Sequence, residues 1–342
     1  MPVKRKVLLI YTGGTIGMIH DVKSNQLKPF NFSSLLEQIP ELARLDVEMN
    51  SVAFEKPIDS SNMNPQKWKQ LAELIYTNYN QYDGFVILHG SDTMAYTSSA
   101  LSFMLENLNK PVILTGSQLP IGTIRTDGKE NIITAIEIAS TYVDNKPLVP
   151  EVAIYFEYRL HRGSRTSKTS ATQFNAFSSG NYPLLAEAGV NISFNVNAIK
   201  GITDKELTLF TAFETTIAII EIFPGISADY LAYMLNAPGL KGAIIRTFGA
   251  GNMSTEASIL NVFKTFIESG RPIINITQCH TGFVEQGKYE TSAGLKSIGV
   301  ISGLDMTTEA AMTKLMYLLG KQGDLKSVTE GFSTSFCGEV TV

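Results

Sequence analysis

Seven stretches of strand length are apolar at almost every position: Val7–Tyr11, Phe85–Leu88, Val112–Leu114, Val152–Phe156, Ile217–Phe223, Ala243–Ile245 and Ile273–Ile276. A strand with one wet face alternates apolar and polar residues, whereas one that is apolar throughout must be covered on both faces. Between these runs lie longer segments, among them Pro65–Tyr79, Ala95–Leu108 and Asn131–Tyr142, in which apolar residues recur every three or four positions. Helices of that length supply the crossovers that parallel strands need. The chain is therefore expected to be α/β, with a parallel sheet between helical layers.

The rhythm breaks over residues 191–212, NISFNVNAIKGITDKELTLFTA, which are polar and alternating with no clear helix, and restarts at Ile217. This predicts a larger N-terminal parallel-sheet domain over 1–190, a connector over 191–212 and a smaller C-terminal α/β domain over 213–342. A chain of 342 residues with 44% hydrophobic content can bury two cores. Charged residues make up 18%, below the usual share of about 25%, which fits extensive buried or subunit-covered surface. The 28 basic and 32 acidic residues nearly cancel, and no run of like charge exceeds Lys4-Arg5-Lys6. Neither nucleic acid nor a membrane is thus an expected partner. No apolar stretch approaches the ~18 residues of a membrane span, and Val7–Tyr11 is too short for a secretory signal core. Cys279 and Cys337 make no disulfide framework, so a reducing, cytoplasmic setting is expected.

In open parallel sheets, ligands bind beyond the carboxyl ends of strands, where several loops converge. Val7–Tyr11 leads into Thr12-Gly13-Gly14-Thr15-Ile16-Gly17, Phe85–Leu88 into His89-Gly90-Ser91-Asp92-Thr93, and Val112–Leu114 into Thr115-Gly116-Ser117-Gln118. Glycine lets backbone approach a ligand, and hydroxyls offer nucleophiles or hydrogen bonds. The first loop is no P-loop, lacking G-x-x-x-x-G-K-[ST], and its glycines at 13, 14 and 17 do not form the dinucleotide fingerprint. Any one such loop reads equally well as a tight turn before a helix; three at successive strand ends weigh against that.

The segment Leu160–Lys168, LHRGSRTSK, follows the strand Val152–Phe156. It reads as a phosphate-binding basic loop, as a solvated turn, or as the carrier of a lysine that serves as base to a Ser or Thr hydroxyl in a dry site. Spacing leaves the three open. His20, His89, His161 and His280 form no metal-ligand pattern, so no metal is expected. Cys279-His280 are neighbours on an extended strand end and point apart; the thiol reads as buried and inert. Asp59-Ser60-Ser61-Asn62, ahead of a helix near Pro65, have the composition of caps and turns.

Thr12-Gly13-Gly14-Thr15-Ile16, Asp59-Ser60-Ser61-Asn62-Met63, His89-Gly90-Ser91-Asp92-Thr93-Met94 and the Arg162…Lys168 segment together resemble the bacterial type I, cytoplasmic L-asparaginases. Phe223–Ile226, Arg246–Asn252 and Thr277–Cys279 extend the match in order along the chain. The resemblance implies hydrolysis of L-asparagine to L-aspartate and ammonia without metal or organic cofactor, on a larger and a smaller α/β domain, in a homodimer or a dimer of dimers. By position, Thr15 matches the nucleophile, Ser91 the second active-site hydroxyl, and Asp92 and Lys168 the acid and lysine that accompany it. Asp59 and Ser60 match residues that grip the substrate α-amino and α-carboxylate groups, with Ser117 as a further substrate-binding position. Arg246 and Cys279 match positions lining an asparagine effector site in some type I members, with a structural salt bridge as the alternative for Arg246; Asn252 is a candidate contribution to a neighbouring subunit.

Two departures stand out. The family usually has threonine where Ser91 stands, so the β-methyl that restrains the rotamer is missing. Relatives also carry a tyrosine after the nucleophile that covers it, whereas residues 18–32 contain none; Leu27 takes its position, and a lid closing with Phe30 is expected. Two rivals compete with the hydrolase reading. A glutamyl-tRNA amidotransferase subunit of related body would carry an extra N-terminal domain, whereas here the first strand begins at Val7. A non-catalytic amino-acid sensor would keep Asp59 and Ser60 without needing Thr15, Asp92 and Lys168 together.

Overall fold

A computed structural model describes residues 4–21, 26–29, 38–287 and 290–342. The chain divides into two compact units, Met1–Phe210 and Thr211–Val342.

The first unit is built on an eight-stranded sheet. Its strands are β1 (Arg5–Gly13), β2 (Val47–Ile58), β3 (Gly84–Leu88), β4 (Val112–Thr115), β5 (Val152–Phe156), β6 (Arg159–Arg162), β7 (Ala186–Ala188) and β8 (Ile192–Phe194), in the spatial order β8-β7-β6-β5-β4-β3-β1-β2. The five strands from β5 to β2 run parallel, as the unbroken apolar runs predict. Helix α3 (Gly128–Ser140) packs Ile132, Ala135, Ile136 and Ala139 against Val7, Leu9, Tyr11, Val86, Leu88 and Ile113. Residues of opposite parity, such as Leu8, Ile10, Phe85 and Ile87, are buried on the other face. Helices α1 (Pro65–Asn78) and α2 (Met94–Met104) pack on each other, and α2 lies against β4 and β5.

Three features depart from the sequence reading. The sheet is mixed, because β5, β6, β7 and β8 pair antiparallel. Only Glu157 and Tyr158 separate β5 from β6, both at positive φ (47° and 64°); a two-residue primed turn can only reverse the chain. The stretch expected as a connector contributes β8, and Thr208–Leu209 pairs with Leu105–Glu106, so residues up to Phe210 pack within the first unit. Strand β2 is an edge strand whose half-exposed, alternating residues hide it from a search for continuous apolar runs. The lid expected on Leu27 and Phe30 falls on side chains outside the described residues.

The second unit has a four-stranded, fully parallel sheet, β9 (Ile217–Glu221), β10 (Gly242–Thr247), β11 (Ile273–Thr277) and β12 (Ile301–Ser302), in that order. Helices α4 (Ala228–Leu235) and α5 (Ala257–Glu268) bring Leu231, Leu235, Ile259, Phe263 and Phe266 onto Ile220, Ala243, Ile245 and Ile273. After α6 (Glu290–Ser297), the helices α7 (Thr308–Gly320) and α8 (Leu325–Phe332) complete the unit. No described helix is long and apolar enough to cross a membrane.

Candidate active site

Parallel strands β1, β2, β3 and β4 share one carboxyl end, so the segments after Tyr11, Ile58, Leu88 and Thr115 gather there. Short hydrogen bonds tie them together. Thr12 Oγ1 donates to the Leu88 carbonyl at 3.0 Å, Gly14 N to Ile58 O at 3.1 Å, His89 N to Thr115 O at 2.9 Å, and Thr93 Oγ1 to Ser60 O at 2.7 Å. The loops touch through glycine. Gly14 has φ +87°, and a Cβ there would run into the Gly90 backbone; one on Gly90 would sit 2.6 Å from Ser60 Oγ. Any side chain at these positions would push the loops apart.

The gathered loops enclose a cavity of about 150 Å³ lined by Gly14, Thr15, Asp59, Ser60, Gly90, Ser91, Asp92, Gln118, Lys168 and Ala171. Drug-sized sites run to roughly 300–1,000 Å³, so this one suits a small molecule, and its lining is almost wholly polar. Lys168 Nζ donates to Ser91 Oγ at 2.9 Å and to Asp92 Oδ1 at 2.7 Å. Lys168 is mostly enclosed, with 15% of its side chain exposed, whereas Asp92 is open at 66%. The lysine arrives on the short strand Ser167–Lys168, which pairs with Phe177–Ser178. Thr15 opens a single 3-10 turn, Thr15–Gly17, directly after β1.

Asp59 caps the turn Ser60–Asn62: its Oδ1 accepts from Ser61 N at 2.9 Å and Ser61 Oγ at 2.8 Å. Those two bonds hold its carboxyl below the usual aspartate range. Asp59 is both the cap that its composition suggests and a cavity-lining anion. Ser60 is buried beside it.

Of the residues singled out from the sequence, Thr15, Ser91, Asp92, Lys168, Asp59 and Ser60 line this one cavity. Ser117 does not. It is buried, and its hydroxyl donates to Leu119 O at 2.6 Å. Its neighbour Gln118 lines the cavity instead, with Oε1 accepting from Ser91 Oγ at 3.4 Å and Nε2 donating to Gln173 O at 2.8 Å. Successive side chains in extended backbone point opposite ways, so a buried Ser117 goes with an outward Gln118, but sequence does not say which of the two turns in. Asp127 Oδ2 accepts from Gln118 N at 2.9 Å and steadies that loop.

The segment Leu160–Arg165 is buried, which removes the solvated-turn reading. Arg162 forms a two-pronged pair with Glu151, at 2.6 and 3.1 Å, inside the first unit.

The remaining candidates lie in the second unit. Arg246, at the end of β10, pairs with Glu221 across the register at 2.7 Å, while its buried Nε meets no acceptor among the described residues. Cys279 is exposed rather than buried, because β11 ends at Thr277 and the next residues turn outward, with Cys279 N donating to Thr277 Oγ1 at 3.0 Å. Asn252 closes a tight bridge with Phe248.

Comparison with known proteins agrees with this layout. Residues 6–200 match the asparaginase N-terminal family model, and residues 216–332 match the glutaminase/asparaginase C-terminal domain. The chain is 41% identical to L-asparaginase 1 of Escherichia coli over 339 residues, which is 99% of this chain and 98% of that protein. It is 32% identical to a glutamyl-tRNA(Gln) amidotransferase subunit of Pyrococcus abyssi, over 98% of this chain and 77% of that one. The crystal structure of L-asparaginase I from Vibrio cholerae superposes with a TM-score of 0.91 at 39% identity, covering 99% of this chain and 100% of the other. Sequence, fold and the convergence of four strand-end loops lead to one conclusion: this chain belongs to the asparaginase family.

Proposed function

We propose that the chain is an L-asparagine amidohydrolase, releasing L-aspartate and ammonia. The observation that carries this reading is the chain Ser91 Oγ–Lys168 Nζ–Asp92, at 2.9 and 2.7 Å, opening with Thr15 on a small polar cavity that also holds Asp59 and Ser60. Relatives named as L-asparaginases support it.

A carboxamide is a poor electrophile, so hydrolysis needs a nucleophilic oxygen, a base and donors for the developing oxyanion. Thr15 Oγ attacks the side-chain carbonyl carbon, its hydroxyl proton passes to the amide nitrogen, the C–N bond breaks, and ammonia leaves. The ester left on Thr15 is then cleaved by water. Lys168 takes the proton of the Ser91 hydroxyl or of a water held there, and Asp92 orients it. No backbone acceptor is found among the described residues for the Thr15 and Ser91 N–H groups, each at the start of a 3-10 turn lining the cavity; these are the oxyanion donors. The Asp59 carboxylate attracts the α-ammonium group, and Ser60 the α-carboxylate.

The deciding experiment is ammonia release from asparagine, with glutamine alongside, for the purified protein and Thr15→Ala. Loss of release in Thr15→Ala is expected. Undiminished release in that variant would refute the nucleophile assignment, and no release from the unaltered protein would refute the hydrolase reading.

A second reading concerns regulation. Arg246 Nε, buried and without an acceptor among the described residues, favours an asparagine effector site with Cys279 in the second unit. It predicts sigmoidal rate curves that become hyperbolic in Arg246→Ala; hyperbolic curves in the unaltered protein would oppose it. A cytoplasmic homodimer or dimer of dimers, with Asn252 reaching a neighbouring subunit, completes the proposal and is tested by light scattering.

A further inference from the structure

His89 stands immediately before the cavity and is wholly buried. Its ring belongs to a hydrogen-bonded chain in which every proton has one possible place. Trp68 Nε1, which can only donate, meets Thr97 Oγ1 at 3.1 Å. Thr97 Oγ1 lies 3.0 Å from His89 Nε2. His89 Nδ1 lies 2.7 Å from the Gly90 carbonyl, which can only accept. The proton between His89 and Gly90 must therefore sit on Nδ1. A neutral ring then leaves Nε2 as acceptor, so the Thr97 hydroxyl donates to it and accepts from the indole. Burial pushes the His89 pKa down to about 4, which keeps the ring neutral at ordinary pH.

The Gly90 carbonyl shares a peptide plane with the Ser91 N–H. In a trans peptide these two groups point in opposite directions. With the carbonyl held inward by His89, the N–H is turned toward the cavity that Ser91 lines. We propose that His89 is a positioning residue: through Nδ1–H and the Gly90 carbonyl, and steered by Thr97 and Trp68, it orients the Ser91 N–H as an oxyanion donor. This rests on the hydrolase reading above and deepens it. A hydrogen bond to the carbonyl also polarises the peptide and strengthens its N–H as a donor.

The test compares His89→Asn with His89→Gln. The asparagine amide nitrogen falls near the place of Nδ1, and the glutamine amide nitrogen near that of Nε2. An oxyanion donor acts mainly in the transition state, so the loss belongs in kcat and not in KM. We expect His89→Asn to keep kcat within about tenfold, and His89→Gln to lower it toward the ~10²–10³-fold that follows loss of one oxyanion donor, with KM little changed in both. A packing role would reverse the order, because glutamine is closer to histidine in volume. Thr97→Val, which keeps its shape and removes the hydroxyl, is expected to lower kcat several-fold and serves if the His89 variants do not fold. Nitrogen-15 NMR of the unaltered protein should show His89 protonated at Nδ1 alone.

An Nε2–H tautomer, a His89→Gln variant as active as His89→Asn, or losses confined to KM would overturn the proposal. If the unaltered protein releases no ammonia, the hydrolase reading fails, and the proposal that Ser91 N–H serves it as a donor falls with it. An active parent with the wrong tautomer or the reversed order instead refutes the role of His89 alone.

Discussion

Acidification from pH 7 to pH 5 should weaken this fold through two histidines rather than through its carboxylates. His89 and His161 are both buried, and burial lowers each from an ordinary pKa of 6.5 to about 4. In the unfolded chain each ring takes up a proton as the pH falls through 6.5; in the folded protein neither does until about 4. The unfolded state thus binds more protons over that window, and stability falls as pH drops. One pKa unit corresponds to about 1.4 kcal/mol, so each ring removes ~3 kcal/mol over the full window and ~2 kcal/mol by pH 5. Together they account for ~4 kcal/mol at pH 5, a large part of the roughly 5–15 kcal/mol that holds a typical domain together. Asp59, Glu214 and Glu339 have lowered pKa values and contribute with the same sign, but lose their contribution below the ordinary carboxylate range of 3.8–4.5. Urea unfolding at pH 7, 6 and 5 reads the effect, and His161→Gln, which cannot titrate, should remove about half of the slope. An unfolding free energy that is flat from pH 7 to 5, or a slope untouched by His161→Gln, would refute the argument.

Ser91→Ala and Lys168→Met should each lower kcat for asparagine by ~10²-fold or more, the range of a lost acid–base contact; steady-state ammonia assays check this, and near-normal rates would refute their roles. Gly90→Ala places a Cβ 2.6 Å from Ser60 Oγ, so thermal melts should show ~1–3 kcal/mol of destabilisation from overpacking, with a raised KM as Ser60 is displaced. In the second unit, Lys314 and Glu339 form a fully buried ion pair at 2.6 Å. Lys314→Met leaves the carboxylate without its cation and should cost ~3–5 kcal/mol in chemical denaturation, while adding Glu339→Leu should recover only part of it, because Glu339 also accepts from Phe336 N and Cys337 N.

Much of the molecule is legible from local sequence. Strands apolar at every position require cover on both faces, which leads to the α/β class and to the parallel core of both units. Three strand-end loops rich in glycine and hydroxyls mark the cavity, because glycine is needed where loops meet backbone to backbone, as Gly14 meets Gly90. The edge strand Val47–Ile58, which delivers Asp59 and Ser60, escapes this reading because its half-exposed alternation lacks the apolar continuity of a central strand. The hairpin at Glu157-Tyr158 also escapes it, since neither residue announces the positive φ that the turn imposes.

What the sequence by itself determines is which side chains stand at strand ends and that those ends share a direction, because both follow from periodicity within a few residues. Tertiary structure decides which of those side chains meet. Ser91 and Lys168, 77 positions apart, come to 2.9 Å because the short strand Ser167–Lys168, paired with Phe177–Ser178, brings the lysine back to the cavity. Gln118 rather than Ser117 faces the cavity because the loop after β4 is held by Asp127. The protonation of His89 is settled by Trp68 and Thr97 on two helices, where one end of the chain can only donate and the other only accept. Orientation, pairing and tautomer depend on partners distant in sequence, and no local pattern encodes them.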